Sequence, residues 1–426
     1  MPDYKKKHGK RIPRSQRRAI PKQKEEPQDI LMTSEPARKP PKEDHRPMRV
    51  VKGKRLENKR RFQVVAAVLA VLLITVAVFE LILPAGIVEH VRNAAALVGA
   101  GGYPITLDST DTIHAVSKNG YYYVLTNTQL SAFSNGGKTI YSFAHGFENP
   151  VLKTSRTRAL CFSQGGNQAV VYHLGGLAAA VESEEPIRTG AIADSGAFAL
   201  VTKNESYASV VRVYNKKGRL IYTWNSASET VNGVAISPNG KKIAVSVFSA
   251  PDGVYHSKIM ILNLRSASPE FSKEINGELV YEVSTSGNGF YAVTEHGIEH
   301  IAWSKYKAVS YRNDYSLALF RMGAGGAVAV FSRESDRTDN RVAIFSPGGA
   351  LKSEFEYKGT MSDIQVTGGH IYCMSDTTVR LISGEGKVIR TAECGFGGVK
   401  LIPIGTNLAA IVSDNRIDKI KLEEQK

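Results

Sequence analysis

One four-part pattern recurs along the chain from residue 130 to its end, and it limits the fold more than any other feature. An apolar residue, a spacer and two apolar or aromatic residues lead into Ser or Asn. Gly follows three positions later, and then another short apolar run. The clearest copies are LSAFSNGGKTIYSF (130–143), VRVYNKKGRLIYTW (211–224), VAIFSPGGALKSEF (342–355) and VRLISGEGKVIRTA (379–392). A fifth, AVVYHLGGLAAAV (169–181), has His173 at the Ser/Asn place. Weaker copies are IMILNLRSAS (259–268), IEHIAWSKYK (298–307) and IDKIKLEEQK (417–426). The eight places are 134, 173, 215, 263, 302, 346, 383 and 421, spaced by 39, 42, 48, 39, 44, 37 and 38.

Each copy reads as a β-hairpin: an apolar strand, a polar turn whose glycine supplies a positive φ, and a returning strand. A second hairpin precedes several copies, as in AIADSGAFALVT (191–202), VNGVAISPNGKKIAVSV (231–247), VYEVSTSGNGFYAVT (280–294) and FRMGAGGAVAVFS (320–332). Four strands about every 41 residues is the arithmetic of a propeller blade. The expected fold is therefore all-β, a β-propeller of about eight four-stranded blades over residues 103–426. Seven blades is the alternative, because the copy around Ala302 is poor. The last copy lacks a fourth strand, and Tyr103–Ser109 (YPITLDS) is a strand without a partner. It is expected to complete the final blade and leave no open sheet edge at the seam.

Ahead of the repeat, residues 62–83 read FQVVAAVLAVLLITVAVFELIL. As a helix these would extend about 33 Å, against a hydrocarbon core of about 30 Å, so the expectation is one transmembrane helix ended by Pro84. The twenty residues before it carry nine Lys/Arg, and the twenty after it carry one, Arg92. The positive-inside rule then places the N-terminus in the cytoplasm and the repeat domain outside the cell membrane. A cleaved signal peptide is the competing reading. The basic region before this run is too long for one, and so is the run itself. Residues 84–102 read as a short helical stalk with a glycine hinge.

The net charge of +15 suggests a nucleic-acid binder until it is divided. Residues 1–61 hold 21 Lys/Arg against 8 Asp/Glu, and the remainder 34 against 32. The basic character belongs to a tail expected to be disordered, and no nucleic acid is expected on the nearly neutral propeller. The lipid bilayer, and anionic lipid head groups attracted by the tail, are the expected partners of the N-terminal part.

No residue is assigned a catalytic, cofactor or metal role. His296-Gly297-Ile298-Glu299-His300 matches a zinc-peptidase string, but Gly297 and the strand-like flanks favour a turn over the helix that this chemistry needs. Gly136-Gly137-Lys138-Thr139 resembles the end of a phosphate loop, yet Ala132 stands where the motif needs glycine. Ser332–Asn340 (SRESDRTDN) is charged but lacks the order of a calcium loop. His114, His145, His173, His256 and His370 are scattered. Cys161, Cys373 and Cys394 form no framework. They read as small buried hydrophobes, with a Cys373–Cys394 bridge as the alternative if the two fall on neighbouring strands.

At Ile236-Ser237-Pro238-Asn239-Gly240-Lys241-Lys242-Ile243-Ala244-Val245 the chain resembles the turn of YVTN/TolB-like propellers. Asn215, Gly218 and Trp224 resemble a quinoprotein-like blade, but only this copy keeps the tryptophan, so quinone binding is not implied. Tail, anchor and degenerate propeller together, over roughly residues 60–426, are similar to uncharacterised membrane-anchored proteins of Gram-positive bacteria grouped as a domain of unknown function. The resemblance implies no activity. The expected function is a non-enzymatic binding, scaffold or sensor module facing an envelope protein or wall polymer. An extracytoplasmic glycosidase or lyase is the alternative. A third reading is a transducer whose basic tail signals inward.

Overall fold

Two helices precede the strands. The computed structural model describes residues 54–82, 87–109, 111–323, 325–367, 369–375, 377–395 and 397–424. Helix α1 runs Lys54–Ile82 and helix α2 runs Ile87–Leu97. Residues 54–61, expected in the tail, are therefore helical. The sequence KRLENKRR contains good helix formers and no breaker, so it propagates the apolar helix backwards. The rest of the expected tail, residues 1–53, lies outside the described residues. So does the end of the expected 62–83 span. Among the described residues no helix is long and apolar enough to cross a membrane; the side chains of α1 are described without a break only over 61–75.

Residues 112–424 form eight antiparallel sheets, which we number as blades 1–8 and whose strands we letter A–D from the inside outward. They cover residues 112–144, 150–182, 189–226, 230–276, 282–312, 316–358, 363–393 and 398–421. Seven of the eight Ser/Asn places fall at the end of strand C, where the chain turns into strand D; the eighth, Lys421, ends strand C of blade 8, whose strand D comes from the other end of the domain. The physical reason is visible at four of them. Gly137, Gly218, Gly349 and Gly386 take φ between 75° and 84° and donate their N–H back to the carbonyl of the Ser or Asn. The side-chain oxygens of Ser134, Asn215, Ser346 and Ser383 each accept the N–H four residues on, at 3.1 Å. The motif is thus a turn that caps itself.

Blade 5 (282–312) is real, which settles the count at eight. Its C–D turn carries no glycine, so the motif was hard to see. Lys305 and Tyr306 take φ of 62° and 49° instead. Tyr306 is held there by stacking on Phe271 and by a 2.7 Å bond from Lys242 Nζ to its hydroxyl.

Eight apolar clusters, one between each pair of neighbouring blades, form the core among the described residues. Each sheet is covered on both faces, so the B strands are largely apolar and buried. Tyr121–Thr126, Arg158–Ser163, Phe198–Thr202 and Gly289–Val293 are buried at every position. Outer strands alternate, as in Leu351–Lys358, because one row of side chains meets water.

The seam closes as expected but with a shorter strand. Ile105–Thr106 is the D strand of blade 8 and pairs with its C strand, Arg416–Lys421, in register Ile105↔Ile417, and Leu107 N–H adds a 2.6 Å bond to the Asn415 carbonyl. Ile105 and Leu107 are buried with Tyr122, Ile402 and Ile417. Past Lys421 the chain makes a fifth strand on blade 7, Glu423–Glu424 against Val388–Glu393, which the pattern did not announce.

Helix α2 corrects the picture of a hinged stalk. It lies against the face made by the A–B and C–D turns of blades 1 and 2. Glu89 receives a two-pronged ion pair from Arg158, whose side chain is 3% exposed; Nε lies 2.9 Å from Oε1, and Nη2 bonds Oε2. Lys138 Nζ donates to the carbonyls of Ala96, at 3.0 Å, and Val98 at the helix C-terminus. Ala96 and Leu97 pack on the cluster that contains Tyr121 and Tyr123.

Candidate functional site in the axial channel

Most sequence candidates resolve into structural roles. Gly297–Ala302 is a strand, so Glu299 and His300 point to opposite faces. Glu299 is buried and paired with Lys273 at 2.6 Å and Arg312 at 3.2 Å. His300 lies 3.0 Å from Ser286 Oγ, and His296 donates to the Tyr315 carbonyl at 3.2 Å. Lys138 of the phosphate-loop look-alike is the α2 cap described above. In Ser332–Asn340, Asp339 is neutralised by Arg333 and Lys358, both at 2.8 Å, and the cation pairs hold its carboxyl below the usual range. No group of three or more His, Cys, Asp or Glu among the described residues is placed to hold a metal.

Cys373 and Cys394 are not bridged. Cys373 is on blade 7's His370–Ser375, and Cys394 follows Val388–Glu393, with Thr378–Ile382 between those strands. Cys161 and Cys373 fill core space, and burial pushes each thiol up to about 12.

The A strands of the eight blades surround the axis, and here the structure assembles what the sequence did not show. Blade 1 supplies His114, on Thr112–Ser117, and Lys118 just beyond it. Blade 2 supplies Lys153 on Pro150–Thr154, blade 6 Arg321 on Ser316–Gly323, and blade 8 Lys400 on Gly398–Pro403. The depth is set by Ser117, whose Oγ donates to the Pro403 carbonyl at 2.9 Å. Counting three residues back on both strands puts His114 level with Lys400.

His114 is half-buried in the field of Arg321, Lys400, Lys153 and Lys118. Burial, then those cations, depress its imidazole to about 4. Burial also brings the Lys118 ammonium down to about 8, against an opposing pull from Asp194. Four blades, 1, 2, 6 and 8, carry these cations on or just beyond their A strands, which surround the axis.

Carboxylates nearby are already engaged. Asp363 takes Arg321 at 3.2 Å and the N–H of Leu401 at 3.1 Å. Asp194 takes the N–H of Arg156 at 2.7 Å, and Glu282 accepts from Ser284. Among the described residues Lys118, Lys153 and Lys400 make no ion pair. A sequence signal existed: each lies at or just after an otherwise apolar A strand. It becomes readable only once the A strands are assigned.

On the opposite face, beside the seam, is a cleft of about 330 Å³ lined by Asp108, Asp111 and Asn127 among others. Its polar groups bond one another, Asn127 to Asp111 at 2.9 Å and Gln129 to Asp108 at 2.7 Å.

The family of unknown function DUF5711 matches residues 103–422, the closing strand and all eight blades. The chain belongs to that family. No curated protein matches the sequence. Among solved structures, the Dos1 propeller is similar with a TM-score of 0.54 at 12% identity, over 78% of this chain and 97% of that one. The computationally designed Ika8 protein is similar with a TM-score of 0.54 at 9% identity, over 74% and 98%. BamB from Moraxella catarrhalis aligns at 12% identity over 76% and 100%, with a TM-score of 0.48. The likenesses to the Dos1 propeller and to Ika8 speak to the fold of this DUF5711 chain and to nothing else.

Proposed function

We propose that this DUF5711 chain is a membrane-anchored, extracytoplasmic propeller that works as a non-enzymatic binding or scaffold module at the cell envelope. The observation that carries the anchor is the surface of α1. Phe62, Val64, Val65, Val68, Leu69, Val71, Leu72, Leu73, Ile74 and Val78 are each between 48% and 76% exposed. These positions go all round the helix, and a helix apolar on every side belongs in a protein core or a bilayer. The charge asymmetry around residues 62–83 supports an outside propeller. It also supports attraction of the tail to anionic head groups.

Five peptide steps separate Ile82 from Ile87, a reach of at most roughly 18 Å. With α2 fixed by Glu89 and Arg158, the A–B turn face is then the membrane-facing one, and the B–C and D–A loops face outward to a protein or wall-polymer partner. The binding reading is favoured over a glycosidase or lyase by the axial charges: a glycosidase needs two carboxylates free to act, and Asp363, Asp194 and Glu282 are bonded elsewhere. The test is protease treatment of intact cells, followed by crosslinking and pulldown. Cleavage within 103–426 without lysis, and one partner captured repeatedly, are expected. Cleavage only after lysis overturns the topology.

A further inference from the structure

We propose that the axial channel is a binding site for a phosphate-bearing polyanion, gripped by Lys118, Lys153 and Lys400 with Arg321 and His114 completing the collar. This rests on the reading of the propeller as a binding module and specifies one ligand class for it. Like charges gathered in a confined space repel one another. A fold that needed only to fill its axis has apolar residues for that; the neighbouring Ile113 and Val399 are 42% and 41% exposed. Here three ammonium groups from blades 1, 2 and 8 have no described ion-pair partner, and a fourth cation is shared with Asp363.

The geometry selects the ligand. The lysines stand on different strands around the axis and at different depths, since Lys118 follows Thr112–Ser117 at the A–B mouth while Lys400 is level with His114. One small anion cannot meet them all, whereas linked phosphates can. Lysine suits phosphate as a compact point charge with rotatable donors. The described A strands offer no exposed aromatic ring for base stacking, which separates this site from a nucleic-acid channel. The exposed Ile113 and Val399 side chains favour a polymer with carbon spacers between its phosphates over an inorganic chain.

The experiment uses the full chain in nanodiscs of neutral phosphatidylcholine and reads lysines one at a time. Amine labelling followed by mass spectrometry is run with and without tripolyphosphate or poly(glycerol phosphate) at low salt. Reading by residue separates the channel from the basic tail, which also attracts anions. Expected is about tenfold slower labelling of Lys153 and Lys400 with poly(glycerol phosphate), less with tripolyphosphate, and no change at exposed Lys216 and Lys217. Protection should fade at about 0.3 M salt, where exposed charge is screened within a few ångströms. Lys118 and Lys153 should lose protection in Lys400→Gln and regain it in Lys400→Arg. Equal slowing at Lys216 and Lys217, no slowing with either anion, or no labelling of Lys153 and Lys400 without anion each overturns the site. Loss of partner capture in cells with the footprint intact would instead refute the scaffold reading and leave the channel site standing.

Discussion

Replacing Glu89 by Gln tests whether α2 is a docked part of the propeller. The Arg158 guanidinium is 3% exposed and Glu89 11%, and Gly196 closes over it: a Cβ there would come 2.2 Å from Nη1. Glu89→Gln removes the counter-charge and leaves the cation buried. Removing one partner of a buried pair costs about 3–5 kcal/mol. Glutamine keeps one acceptor for Nε, so the low end, about 3 kcal/mol, is expected. The chain can escape that cost by releasing α2, which gives up the Lys138 bonds to Ala96 and Val98 and the packing of Ala96 and Leu97. Undocking is therefore the cheaper response, and hydrogen exchange is the assay. Amides of Ile87–Leu97 should exchange up to about 100-fold faster, the equivalent of about 3 kcal/mol, while Gly289–Val293 in blade 5 stays protected. Glu89→Leu with Arg158→Met should restore much of the protection, because an apolar pair carries no buried charge. Less than about threefold acceleration in α2 for Glu89→Gln would refute the docking argument. Equal acceleration in blade 5 would refute the claim that the response is local.

At the seam, Ile105→Ala and Leu107→Ala should each cost about 2–4 kcal/mol in denaturant unfolding, with faster exchange across Arg416–Lys421; unchanged exchange there would mean the ring is closed by something else. His114 makes stability depend on pH. Its folded value, about 4, is below the ordinary 6.5, so the unfolded chain binds the extra proton between those values. Its contribution is complete above pH 6.5 and is lost as pH falls through 4, at most about 3 kcal/mol; His114→Gln should flatten urea-unfolding stability across that window, and an unchanged slope contradicts the assignment. Gly349→Ala should cost more than Gly253→Ala by thermal unfolding. Both glycines have positive φ, which alone costs about 1 kcal/mol, but a Cβ at Gly349 meets His300 Cβ at 2.2 Å while Gly253 has open space; equal losses would show that His300 yields freely.

Much of the architecture was legible because it is local. Ser134 and Gly137, or Asn215 and Gly218, build their turn within five residues, so the motif and its spacing counted the blades and left Tyr103–Ser109 over as the closing strand. Blade 5 was faint because Tyr306 replaces glycine chemistry with packing on Phe271, a residue 35 positions away on the neighbouring blade. The His296–His300 string reads as a turn from Gly297, but Gly297–Ala302 is a strand, because the apolar residues on either side continue through it.

The docking of α2 was not legible, because Glu89 and Arg158 are 69 positions apart and neither residue type names its partner. The channel was less legible still. Ser117 and Pro403, 286 positions apart, set the level at which His114 meets Lys400, and Arg321 arrives from across the ring. Charge summed along the sequence found the propeller nearly neutral. Only closure of eight blades sets the A strands that carry those few lysines around one axis.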